Sequence, residues 1–212
     1  MSIPPKPRRT APRDEDTSRR RQTMTRLMDA AERLIREKGF DATSVTEIAA
    51  AAGVVPSLIN AYFLGKSGLL FAVTQRYNRN QLAATRAAAA TPGSAADRIG
   101  AILLTWARLD LAEPRLYAAI TGLSWTWPAE TERQYREDLE PFWDIVMDVA
   151  RDGIAAGEFR PLERAEVREI VFALHQWGMR PGIFLGESPE TCAARVTRQV
   201  LTAFGAPPHG AG

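Results

Sequence analysis

Between Pro56 and Lys66 the chain sets hydrogen-bonding side chains at short helical intervals: Ser57, Asn60 three positions on, Tyr62, then Lys66. An Asn amide carries a donor and an acceptor side by side, which matches the N6 and N7 edge of adenine in a major groove. The Ser57 and Tyr62 hydroxyls can donate to phosphates or base edges, and Thr46 can do so from a helix just upstream. A second reading of Asn60 stays open, that of a solvated polar residue, because most contacts in a groove go to phosphates. Lys66 opens a helix, where the amino-terminal dipole already favours an anion.

These residues need short, rigid supports, and the surrounding sequence supplies them. Apolar residues recur at three- and four-residue spacing throughout and no stretch sustains alternation, so the chain reads as all-α. A first helix is expected over 19–38, with Met24, Leu27, Ala31, Leu34 and Ile35 on one face and Gly39 as its stop. Ser44-Val45-Thr46-Glu47 is a capping box that starts a second helix, which carries Ile48 and a run of alanines to Gly53. Pro56 suits the first turn of a third, running to Phe63 before Gly65. Two short helices joined through a glycine and braced by a longer one make a helix-turn-helix, whose second helix enters the major groove. Further helices are predicted over 66–90, 94–112, 114–123, 131–156, 163–180 and 189–204, the fifth opened by Ser94 and Asp97.

Charge is distributed unevenly. Residues 1–66 hold twelve Lys and Arg against eight Asp and Glu, a balance of +4, while the whole chain is only +2. Residues 1–18 read as a basic disordered arm, continuous with the run Arg19-Arg20-Arg21. Such a segment serves either to grip a phosphate backbone or simply as a solvated tail. The expected division is then 19–66 for DNA binding, 67–205 for a larger helical ligand-binding and dimerisation domain, and 206–212 for a disordered tail. Cys192 is the only cysteine, so no internal disulfide or ordinary thiolate zinc site is possible; neither metal nor cofactor is expected. A reducing, cytoplasmic setting fits, and the most apolar run, Ile99 to Leu111, is interrupted by Arg108, which argues against a membrane span.

Gly39-Phe40-Asp41-Ala42-Thr43-Ser44-Val45-Thr46-Glu47-Ile48-Ala49, with Ala52-Gly53-Val54 and Tyr62-Phe63-Leu64-Gly65-Lys66-Ser67-Gly68-Leu69-Leu70, resembles the amino-terminal signature of the TetR family of bacterial one-component regulators. The segment from Pro56 to Phe63 reads closest to the choline-responsive BetI type. The resemblance implies an all-helical homodimer, usually a repressor of double-stranded operator DNA, released when a small molecule enters the carboxy-terminal domain. It also implies a phosphate-binding role for Lys66. Val55 stands where the family usually offers a Ser or Thr cap, and Asn60 where a Tyr is common. The DNA-binding set is therefore Ser44, Thr46, Pro56, Ser57, Asn60, Tyr62 and Lys66, with Ser44 more cap than contact.

In the carboxy-terminal part, Trp106, Tyr117, Trp125, Trp143 and Phe172 are the candidate ligand residues, and the helix over 131–156 should be central. They form either an aromatic cage for an apolar or cationic effector or ordinary core filling. Val167, Ile170, Val171, Leu174 and Trp177, then Cys192, Val196, Val200 and Phe204, make apolar stripes that the resemblance assigns to a dimer interface. Gly178 and Gly182 either permit close helix approach or end a helix before Pro181. His175 lacks an evident orienting partner, so catalysis is not expected. Two competing readings stay open: a helical small-molecule-binding protein or enzyme without specific DNA binding, and a ligand-independent DNA-binding activator.

Overall fold

The computed structural model describes residues 13–205, and every regular element among them is a helix. The order is α1 (Arg13–Lys38), α2 (Val45–Ala51), α3 (Ser57–Phe63), α4 (Lys66–Ala89), α5 (Ala95–Ala112), α6 (Pro114–Ser124), α7 (Ala129–Ala155), α8 (Arg164–Gly178), α9 (Arg180–Leu185) and α10 (Pro189–Ala203). Residues 1–12 of the expected arm and 206–212 of the expected tail lie outside the described residues. No helix among those described is long and apolar enough to cross a membrane.

Two expectations need correction. The disordered arm expected over 1–18 stops short of residue 13, because α1 already begins at Arg13. The helix expected over 163–180 instead ends at Gly178, and a separate short helix, α9, starts with Pro181 in its first turn. Proline is tolerated there because the first-turn N–H would be unpaired anyway. Gly178 also permits close approach: a Cβ at that position would lie 2.1 Å from Val196 Cγ2 on α10.

The local signals for α2 and α5 act as read. Ser44 Oγ accepts from the Glu47 amide at 3.1 Å, and the Glu47 carboxylate reaches back to the Ser44 amide at 2.8 Å. Ser94 and Asp97 repeat the arrangement on α5, where Glu158 also accepts from the amides of Ala95 and Ala96. The hydrogen bond from Lys38, then those from the Ser44 backbone and hydroxyl, lower the Glu47 carboxyl from its usual 4.5 to about 2. A value depressed on folding means that this stabilisation is whole above about 4.5 and lost as pH falls towards 2. Amide exchange in α2 should accelerate across that window, and Glu47→Gln should flatten the dependence; an unchanged profile would show that the box contributes nothing.

Two apolar cores result. The first joins α1, α2, α3 and the start of α4 through Leu27, Ile35, Ile48, Ile59, Phe63 and Leu70, and it also takes in Leu116 and Ile120 of α6. The second gathers α5, α7, α8 and α10 around Leu103, Trp106, Phe142, Val146, Val171 and Val196. α4 runs through both: Leu69, Leu70 and Val73 belong to the first, Ala88 and Ala89 to the second. Arg76 on α4 ties back to Asp29 and Glu32 of α1, while Gln75 donates to Asp138 of α7 at 2.7 Å.

This packing covers the apolar stripes of α8 and α10 from within the protomer. Val167, Val171, Cys192, Val196, Val200 and Phe204 are buried within the protomer, α10 lying against α5 and α8. Those stripes therefore do not by themselves demand a partner. Besides Val55 and Leu64 flanking α3, the large apolar side chains left exposed are Trp125, Trp177, Phe184 and Leu185, with the Arg180 guanidinium over both the Trp177 and Phe184 rings.

Candidate functional site

The first site lies on the outer face of α2 and α3. Gly53 (φ +66°) turns the chain between them, and the Val54 amide closes the turn on the Ala49 carbonyl at 2.9 Å. Ile48, Ala49 and Ile59 bury the inner faces, which leaves Thr46, Pro56, Ser57 and Asn60 exposed together on the other side. Pro56 occupies the position preceding α3, and with Val55 beside it the helix has no side-chain cap. Tyr62 is half-buried, with the Arg20 guanidinium 5.1 Å from its ring centre. Arg20, grouped in sequence with a mobile basic run, is thus carried by a helix beside α3.

Two proposed DNA contacts are engaged elsewhere. The Ser44 hydroxyl is committed to Glu47, both as acceptor from its amide and as donor to its carboxylate. The Lys66 ammonium donates to the carbonyls of Phe40 at 2.7 Å and Thr43 at 2.8 Å, and lies 3.9 Å from the centre of the Phe40 ring. Lys66 therefore pins the start of α4 to the loop between α1 and α2, rather than standing free for a phosphate.

The second site is a chamber of about 80 Å³ between α4, α5, α6, α7 and α8. Of the five residues expected to line it, Trp106, Tyr117, Trp143 and Phe172 do so. Trp106 meets Phe142, Trp143 and His175 edge-on, and Trp143 meets Phe172 likewise. Trp125 does not reach it. It caps the carboxy end of α6 at 86% exposure and borders a surface groove with Trp177 and Phe184.

Polar residues that the sequence reading passed over give the chamber its chemistry. Asp110, only 4% exposed, accepts from the Tyr77 hydroxyl at 2.7 Å and Gln81 Nε2 at 3.3 Å on one oxygen, and pairs with His175 Nε2 at 2.7 Å on the other. Burial first, then the Asp110 charge, pushes the Tyr77, Tyr117 and Tyr135 phenols upward, so all three stay protonated. A signal was present: Asp110 follows Leu103 and Trp106 at helical spacing, a carboxylate on an apolar face. Tyr77 and Gln81 are likewise one turn apart on α4. His175 was discounted for want of a partner, which lies on a different helix.

The sequence profile described as bacterial regulatory proteins of the tetR family matches residues 27–73, the segment that builds α2, α3 and their supports. Residues 27–73 thus carry the amino-terminal signature of the TetR family. The transcriptional regulator BetI of Rhizobium meliloti is 38% identical over 96 residues, covering 44% of this chain and 46% of that protein. The match therefore spans about half the length of that curated relative. A TetR/AcrR-family regulator from Thermobifida fusca is 28% identical, covers 87% of this chain and 97% of its own, and superposes with a TM-score of 0.63. FadR from Bacillus subtilis, solved with stearoyl-CoA, shares the fold at 18% identity and a TM-score of 0.70, covering 84% of this chain and 98% of its own. The TetR fold thus extends beyond the amino-terminal signature through most of the chain.

Proposed function

We propose that the protein is a ligand-responsive transcriptional repressor that grips a near-palindromic operator through α3 and lets go when a small molecule fills the chamber. The observation that carries this reading is the double membership of α6. Ile120 belongs to the core beneath α2 and α3 and also lines the chamber, next to Tyr117 and Thr121, while Leu116 on the same helix is fully buried in the first core. A ligand that displaces α6 must disturb the seat of α3. α4 offers a parallel route, since Tyr77 and Gln81 hold Asp110 in the chamber wall while Leu69 and Leu70 support the reading unit. Linkage then requires DNA and ligand to disfavour each other by the same factor, typically about 5- to 150-fold.

Ser57, Asn60 and Thr46 are the base- and phosphate-facing candidates, with Tyr62 and Arg20 beside them. A second copy of the chain docks on the exposed Trp177, Phe184 and Leu185 face and presents two reading helices with two-fold symmetry. A chain as long as stearoyl, held by the Bacillus subtilis protein, does not suit this chamber, which is smaller than the cavity of about 150 Å³ that admits benzene. Selection from a random duplex pool with the full chain tests the reading. Recovery of an inverted repeat bound by two chains is expected; recovery of no preferred sequence would overturn it.

A further inference from the structure

We propose that the chamber, on the reading of it as the effector site, recognises a small uncharged molecule with an apolar body and one hydroxyl group, and not a cation. Aromatic walls around a buried carboxylate look at first like a cation site. The hydrogen bonds of Asp110 argue otherwise. Three donors already hold its carboxylate, Tyr77 and Gln81 on one oxygen and His175 on the other, so a cation would have to share or displace them. Displacement would strand a buried donor for each bond gained.

What the chamber lacks is a partner for two atoms. His175 Nδ1 and Asn78 Nδ2 are both buried without a hydrogen bond, and both residues line this one chamber. A carboxylate can only accept, so His175 Nε2 carries the proton it gives to Asp110; Nδ1 then accepts in the neutral ring and donates in the charged one. Asn78 Nδ2 is a donor. A hydroxyl answers both forms with one atom: it takes a proton from Asn78, and it gives its own to a neutral ring or accepts from a charged one. A carboxylate ligand has no proton for a neutral ring, and with either form of the ring it adds a second buried anion beside Asp110. Arg136 and Arg168 line the adjoining outer chamber but already pair with Glu132 and Glu140.

Size limits the apolar body. The inner chamber of about 80 Å³ adjoins an outer one of about 160 Å³ past Tyr135, Leu139, Trp143 and Phe172. Together they suit roughly one ring with a short substituent, given that a cavity of about 150 Å³ takes benzene.

Phenol, toluene and benzyltrimethylammonium separate these chemistries, titrated into the full chain with tryptophan emission and thermal midpoint as readouts. Phenol should saturate, and it should bind about tenfold more tightly than toluene. Asn78→Ala removes an atom that has no partner in the free protein, so the variant should fold; it should lower phenol affinity several-fold and leave toluene unchanged. Tighter binding of benzyltrimethylammonium than phenol, or an unchanged phenol-to-toluene ratio in Asn78→Ala, would overturn the proposal. So would failure of all three probes to bind. Phenol that binds as expected but leaves the affinity for selected duplex unchanged would instead count against the repressor reading while sustaining the ligand class.

Discussion

Leu116→Ala is expected to weaken binding to the selected duplex on the order of tenfold, although α6 supplies none of the residues proposed to read DNA. Leu116 is wholly buried in the core under α2 and α3, and truncation of such a leucine costs about 2 to 5 kcal/mol. The cavity falls between α6 and the helices that seat α3, so the loss should appear in DNA affinity as well as in stability. Leu103→Ala is the matched comparison: the same residue type, 1% exposed, but in the second core. It should lose similar stability while the folded fraction retains wild-type affinity within about twofold, since its contacts are remote from the reading unit. Urea midpoints and anisotropy titrations, corrected for the folded fraction, give both quantities. Equal effects of the two substitutions on DNA affinity would mean that α6 is only a spacer.

Gly68→Ala should be more damaging still, for the smallest possible change. A Cβ at Gly68 would sit 1.7 Å from the Phe63 carbonyl oxygen and 2.9 Å from its carbon, and backbone cannot swing aside as a side chain can. The chain arrives there through a left-handed pair, Leu64 at φ +60° and Gly65 at φ +111°, which folds α4 back against the end of α3. Relief requires α3 and α4 to separate, at a cost of about 3 kcal/mol or more, the upper end of overpacking penalties. DNA binding should fall below detection at concentrations where the wild type saturates. Gly122→Ala on α6 meets nothing within 4 Å and should stabilise by about 0.5 to 1 kcal/mol. A Gly68→Ala protein with unaltered melting and DNA affinity would show that the α3–α4 junction is looser than its geometry indicates.

The helices were legible because their signals are local. Ser44 with Glu47, Ser94 with Asp97, and the spacing of Leu27, Ala31 and Ile35 each act within two turns, and the helices begin and bury where those residues direct. The exposed side of α2 and α3 was legible for the same reason: once Ile48 and Ile59 point inward, Ser57 and Asn60 must point out. The chamber was only half legible. Trp106, Trp143 and Phe172 converge as expected, whereas Trp125 faces outward, because ring type does not encode which side of a helix is covered. His175 and Asp110 are 65 positions apart, and nothing local in either segment declares the pair. Lys66 shows the converse limit. Its place at a helix start suggested a phosphate, but the carbonyls of Phe40 and Thr43, from a loop far upstream, reach it first. The stripes on α8 and α10 looked like an interface because their intramolecular partner, α5, is distant in sequence.

On the proposed function, α3 reads base sequence and Asn60 is one of its readers. The most direct measurement is the affinity of wild type and Asn60→Ala for the selected duplex and for a scrambled duplex of equal length, at two salt concentrations. Wild type should prefer the selected duplex by at least about a thousandfold, with affinity for both duplexes falling as salt rises. Asn60→Ala should lose about 1 to 3 kcal/mol on the selected duplex alone and keep its affinity for the scrambled one. Equal affinity of the wild type for both duplexes, or equal losses on both in the variant, would contradict the account.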